Sequence, residues 1–252
     1  MAEQPTGKLT LVLLHGVGLD HTVWQPLISL LPDRFEVITP DLPGHGRRPP
    51  APAGVTLGDL AEGIAAEIPV GSHLVGFSLG ALVSQHLAVH RPELVASLVS
   101  VASVYDRTPE QRAAVLARLE TAAVDVAASS AASLRRWYDG TDVEPDLIRA
   151  TAATLAANDP ASFVNCYRVF ATADAEIAPL LGRIEVPALA ITGADDPGST
   201  PAMTRGLAAA MPNCDAVVIP GARHMLPVQC PGQLVGALTT FYEQFTGGHT
   251  HV

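Results

Sequence analysis

This sequence predicts an α/β fold: a mainly parallel sheet of about six strands, interrupted by a helical insertion. Short apolar runs alternate with stretches of helical period from Leu9 to Val101, the pattern of strands joined by right-handed helical crossovers. Near Tyr105 the alternation stops, and as far as about Gly182 the chain is alanine-rich with helical patterns only. It then resumes. The expected organisation is a core of residues 1–104 and 183–252, with residues 105–182 as a helical cap over the carboxyl edge of the sheet.

Leu9 to Leu14 is a continuous apolar run, as a strand buried on both faces requires. It ends in His15-Gly16-Val17-Gly18. A dinucleotide fingerprint needs a third glycine where His21 stands, so that reading is set aside. Trp24 to Leu31 reads as a helix closed by Pro32, and Phe35 to Thr39 as the second strand. A loop of turn formers follows, Pro40-Asp41-Leu42-Pro43-Gly44-His45-Gly46. Leu57, Leu60, Ala61, Ile64 and Ile68 recur at helical spacing. His73 to Val75 reads as a strand, Ala81 to His90 as a helix and Leu94 to Val101 as a further strand.

In the insertion, Pro109 opens a helix with Val115, Leu119, Ala122 and Val126 on one face. Trp137 and Tyr138 come near its end or in a second helix. Pro145 suits the first turn of another helix, and Asp159-Pro160 reads as the N-cap and first position of one more. Pro187 to Thr192 and Ala216 to Ile219 are the last two strands, with helices over Pro201 to Ala210 and Pro231 to Phe245.

Composition excludes several functions. The 252 residues carry a formal net charge of −10, Lys8 is the only lysine, and no basic run exceeds two residues, so a nucleic-acid partner is not expected. Cys166, Cys214 and Cys230 are too few and too widely spaced for a disulfide framework or a Cys-x-x-Cys metal site. No apolar run approaches the roughly 20 residues of a membrane span, and Met1 to Lys8 lacks a signal-peptide core. A cytoplasmic location with no membrane association is expected. The polar tail with His249 and His251 reads as a loose end and not as a metal site.

The chemistry points to one stretch, Gly76-Phe77-Ser78-Leu79-Gly80. Strand, tight turn and helix around G-x-S-x-G is the context of a nucleophile elbow, whose small residues make room for a serine on a strained backbone. Asp196 and His224 lie just past two later strands, at the sheet edge where open α/β sheets bind ligands. A serine hydroxyl needs an adjacent base, and a histidine base needs a carboxylate to fix its tautomer. Ser78, His224 and Asp196 are therefore the candidate nucleophile, base and acid, with Asp195 the adjacent turn residue. The backbone N–H groups of Val17 and Leu79 are the candidate oxyanion donors. Trp137 and Tyr167 are candidates to line a pocket, and Arg136 and Arg168 to bind a substrate carboxylate. His15 and His45 read as structural hydrogen-bonders.

Taken together, His15-Gly16, Asp41-Leu42-Pro43-Gly44-His45-Gly46, the serine elbow, Gly193-Ala194-Asp195-Asp196 and Gly221-Ala222-Arg223-His224 resemble the α/β-hydrolase superfamily over residues 9 to 245. Within it the chain is most similar to 3-oxoadipate enol-lactonases and related carboxylesterases. The resemblance implies the α/β-hydrolase fold and an acyl-enzyme mechanism on a small ester or lactone, with no metal or organic cofactor. It also implies that the superfamily's usual N-terminal hairpin is missing, since only eight residues precede Leu9. Carbon–carbon bond hydrolysis or cofactor-free perhydrolysis on the same three residues is the alternative enzyme reading. A small-molecule receptor on a hydrolase scaffold is the alternative outside catalysis.

Overall fold

The computed structural model describes residues 8–246, and the His249 and His251 pair lies outside them, as does the segment before Lys8. Strands form where the apolar runs fall: β1 Leu9–Leu14, β2 Phe35–Ile38, β3 Ser72–Phe77, β4 Val95–Val101, β5 Ala188–Gly193 and β6 Cys214–Ile219. They build one sheet in the order β2-β1-β3-β4-β5-β6, with every neighbouring pair parallel. This is the α/β-hydrolase arrangement that the motifs imply. Period-two alternation splits the core. Leu11 and Leu13 of β1 join one apolar cluster, while Val12 and Leu14 join the other.

The strand order also locates the crevice. From β1 the chain moves one way to β2 and then crosses back to β3 on the other side of β1. Loops leaving β1 and β3 therefore diverge, and an open α/β sheet binds its ligand at such a switch point.

Among the described residues the helices are α1 Gln25–Ile28, α2 Leu57–Ala65, α3 Leu79–His90, α4 Pro109–Val124, α5 Val126–Tyr138, α6 Pro145–Ala156, α7 Pro160–Thr172, α8 Asp174–Ile177, α9 Pro201–Ala210, α10 Leu226–Gln229 and α11 Pro231–Thr246. Two expectations need correction. The helix read over Trp24 to Leu31 is only α1, preceded by a 3-10 turn at His21–Trp24. Bonds from Leu30 N–H to Leu27 O and from Leu31 N–H to Ile28 O tighten its exit before Pro32. Val126 is not on the helix of Val115 either. Asp125 is extended, and its side chain accepts the Ala128 N–H, so it ends α4 and caps α5.

Capping explains the other boundaries between β4 and β5. Thr108 and Gln111 form a reciprocal capping box at α4, and Asp159 accepts the Ser162 N–H ahead of Pro160 in α7. The two ends of this helical run are fastened together. Arg107, just before α4, reaches Asp174, just after α7, with Nη1 to Oδ1 at 2.7 Å and its backbone N–H to Oδ2 at 3.0 Å. Arg112 adds a second guanidinium at 2.9 Å, and the Arg107 guanidinium also lies over the Phe170 ring. Among the described residues no helix is long and apolar enough to cross a membrane. The three cysteines are free, with burial pushing Cys166 and Cys214 up to about 12 and Cys230 up to about 11.

Candidate active site

Ser78 joins β3 to α3 with φ 55° and ψ −112°, a left-handed conformation that costs a non-glycine residue of order 1–3 kcal/mol. Its neighbours hold it there. The Ser78 N–H donates to Val101 O at 2.9 Å, and its carbonyl accepts the Ala81 N–H at 3.0 Å as α3 begins. Glycines make the turn possible. A Cβ on Gly76 would lie 2.2 Å from Gly80 O, and one on Gly80 would lie 2.2 Å from Leu14 O, so neither position has room for a side chain. The elbow is therefore wedged against the end of β1, and the serine stands at its tip.

Asp196 follows β5 and His224 follows β6. The His224 Nδ1–H donates to Asp196 Oδ2 at 2.7 Å. Asp196 Oδ1 accepts two backbone N–H groups, from Gly198 at 2.8 Å and Ser199 at 3.0 Å, which orients the carboxylate. Asp196 is buried whereas Asp195 is exposed, so the geometry selects the former of the adjacent pair. Because a carboxylate is acceptor only, the shared proton sits on Nδ1, which in the neutral ring leaves the Nε2 lone pair free to act as a base. The imidazole is held between Phe77, 5.1 Å away centroid to centroid, and Trp137, which stacks on it at 5.7 Å and 23°.

Ser78, Asp196 and His224 line one cavity under α4–α7, and Val17 lines it too. No hydrogen bond joins Ser78 to His224 in this arrangement. The N–H groups of Val17 and Leu79 take no acceptor among the described residues. Leu79 is fully buried at the start of α3 and does not itself line the cavity.

Neither His15 nor His45 competes for the role of base. The Leu42 N–H donates to His15 Nε2 at 2.9 Å and the His15 Nδ1–H donates to Gly16 O at 2.8 Å, so both nitrogens serve the backbone. Burial holds its pKa below the usual histidine value. His45 donates from Nδ1 to Pro43 O, and burial, aided by His15, pushes it down to about 3.

Overhead, the helices contribute mostly apolar surface. Trp137, Phe163, Tyr167 and Phe170 line the cavity, and so does Arg136. Arg168 does not. It lies on the exposed side of α7, because on that helix the inward positions fall to Phe163, Cys166, Tyr167 and Phe170. The sequence reading missed Arg118 of α4, which lines the cavity. A signal was present: Arg118 falls within the Val115, Leu119, Ala122 stripe that α4 buries, where an unpaired charge is out of place. Burial lowers the pKa of Arg136, and the nearby charge of Arg118 pushes it the same way. Arg136 donates to Ser133 Oγ of its own helix, while Arg118 has no hydrogen bond or ion pair among the described residues.

The chain is similar to known proteins over almost its whole length. A family model described as "Alpha/beta hydrolase family" matches residues 11–237. The (E)-2-((N-methylformamido)methylene)succinate hydrolase of Acinetobacter baylyi is 33% identical over 250 residues, 96% of this chain and 92% of that protein. A pimeloyl-[acyl-carrier protein] methyl ester esterase of Chromobacterium violaceum is 32% identical over 84% of this chain and 86% of its own length. Among solved structures, the enol-lactonase from Burkholderia xenovorans LB400 superposes with a TM-score of 0.83 at 24% identity, covering 96% of this chain and 94% of that one, a likeness of fold. On the model match and these full-length relatives, the chain belongs to the alpha/beta hydrolase family.

Proposed function

We propose that this protein is a serine hydrolase that cleaves a small carboxylic ester or a closely related acyl bond, such as a lactone, through an acyl-enzyme. The observation that carries this reading is the serine held at φ 55° in the same cavity as a histidine whose other nitrogen is pinned by a buried carboxylate. Two relatives named as a hydrolase and a methyl ester esterase support the reaction class.

In the proposed cycle, Ser78 Oγ attacks the substrate carbonyl carbon and its proton passes to His224 Nε2. That contact forms as substrate binds, since such bonds are often long in the free enzyme. The carbonyl oxygen becomes an oxyanion, received by the Val17 and Leu79 N–H groups. The second of these sits at the start of α3, where the helix dipole favours negative charge. One such donor lowers the barrier by about 3 kcal/mol. Asp196 stabilises the imidazolium and keeps its tautomer. Collapse of the intermediate breaks the acyl–oxygen bond, and His224 gives its proton to the departing alkoxide. Water, deprotonated by His224, then attacks the Ser78 ester, and the carboxylic acid leaves as the serine regains its proton.

A fluorophosphonate probe, which phosphorylates activated serines, tests this directly. Ser78 is expected to be modified and no other serine. Ser78→Ala is expected to lower turnover of an activated ester by roughly 10⁶-fold if the three residues act as a unit. Intact protein after labelling, or label at another serine, would remove the covalent mechanism.

A further inference from the structure

The roof of the cavity holds two positive charges that the proposed reaction does not use. Arg118 of α4 and Arg136 of α5 line the same mostly apolar space as Ser78. Neither has a carboxylate partner among the described residues. The one carboxylate lining that cavity, Asp196, is engaged by His224, Gly198 and Ser199. Elsewhere the protein does pair its buried arginine: Arg107 is matched by Asp174. The chain as a whole has a formal net charge of −10, so acidic side chains are plentiful, yet among the described residues none forms an ion pair with either arginine.

Both guanidiniums are half-buried against this apolar surface, and a cation drawn part-way out of water with no counter-charge, beside a second cation, is unfavourable. A guanidinium is also the side chain best shaped for a carboxylate, presenting a planar fork of donors. We propose that Arg118 and Arg136 form a cationic subsite that binds a free carboxylate of the substrate, so that the ester or lactone cleaved at Ser78 is an anionic one. The carboxylate it reads is separate from the acyl group undergoing attack. It is held by the two guanidiniums on α4 and α5 while the reacting carbonyl meets the elbow that lines the same cavity. Arg118 is a specificity residue in this scheme, and the exposed Arg168 has no part in it. The proposal rests on Ser78 being the nucleophile only for naming the reacting bond. The anion subsite itself is measurable without turnover.

Two readouts separate the two ideas. The first compares mono-4-nitrophenyl succinate, which keeps a free carboxylate, with uncharged 4-nitrophenyl butyrate. The unmodified enzyme is expected to favour the charged ester by about tenfold or more in kcat/KM, as charge-assisted hydrogen bonds allow. The ratio is expected to fall towards one in Arg118→Gln and in Arg136→Gln. Because the readout is a ratio, a general loss of activity cancels. Arg149→Gln, an equal charge loss on the exposed side of α6, serves as the charge control and is expected to keep the ratio. A ratio near one in the unmodified enzyme, or one that either cavity variant leaves unmoved, would overturn the subsite.

The second readout titrates succinate calorimetrically into Ser78→Ala protein, with and without Arg118→Gln. Binding that weakens at least tenfold on losing Arg118 supports the subsite even if neither ester is turned over, in which case it is the nucleophile reading that fails. Absent binding, or equal binding in both proteins, overturns the subsite even if Ser78 still reacts with the fluorophosphonate.

Discussion

The floor of the cavity and its roof obey different rules. In the floor, backbone meets backbone. Ser78 stands at positive φ on a turn whose two glycines have no room for a Cβ, and Asp196 is oriented by two main-chain N–H groups. In the roof, side chains on four helices meet one another: Trp137, Leu155, Phe163, Tyr167 and Phe170, with Arg118 and Arg136 among them. A main-chain constraint admits one answer at a position, whereas a helix face accepts many side chains of suitable size. On the proposed reading, the floor therefore sets what reaction can occur, and the roof sets which molecule undergoes it. Changes in the two regions should fail differently.

The largest effect is expected in the floor. In Gly76→Ala the new methyl would fall 2.2 Å from Gly80 O and 2.5 Å from Ala81 Cα, both main-chain atoms that cannot swing aside. Either the elbow opens or β3 moves, and the fluorophosphonate reaction at Ser78 should be lost together with a clear drop in melting temperature. Gly58→Ala is the contrast. That Cβ, within α2, meets the His86 ring at 3.6 Å and Thr56 Oγ1 at 3.7 Å, both ordinary contact distances. It should raise stability by about 0.5–1 kcal/mol, because glycine is a poor helix former. Equal outcomes for the two variants would show that the steric wedge does not govern the elbow.

Next in size is the seam that joins roof to floor. Asp174 is fully buried between Arg107 and Arg112, and it ties the entry of α4 to the exit of α7. Asp174→Ala leaves the Arg107 guanidinium buried without a counter-charge, a loss of about 3–5 kcal/mol in such pairs. Urea unfolding monitored by circular dichroism measures it. A cost under about 1 kcal/mol would mean that apolar packing of α4 on α7, and not the ion pair, secures the roof.

The same division explains how much was legible beforehand. Each strand, the elbow and the Asp196–His224 pair follow from local rules: apolar runs of strand length, glycines flanking a serine, a carboxylate and an imidazole just past later strands. The reading of Gly76 and Gly80 needed no knowledge of the rest of the chain. In the roof, Asp125 was missed as a boundary because alanine-rich sequence keeps helical period across it. Arg136 and Arg168 looked equivalent in sequence, and only helix rotation separates the half-buried one from the exposed one. Arg118 shows the limit most plainly. Its place in the buried stripe of α4 was readable, but the absence of any carboxylate beside it depends on which helices pack around it.

The smallest and most gradual contrast concerns acid, and it acts on the floor alone. The helices α4–α7 contain no histidine, whereas His15, His45, His73 and His86 all belong to the sheet, its loops or α3. Burial holds all four below the usual histidine value, His45 at about 3. Between that value and about 6.5, the unfolded chain binds protons that the folded chain refuses, so stability rises with pH and is lost as pH falls. Unfolding free energies at pH 6.5 and pH 5.5 should show the decline, with at most about 1.4 kcal/mol from any one histidine over that unit. His45→Gln removes one of these groups while keeping an N–H donor for Pro43 O, so its decline should be shallower than that of the unmodified protein. If the two slopes coincide, His45 takes up its proton without unfolding the loop, and the floor is less rigid there than its packing implies.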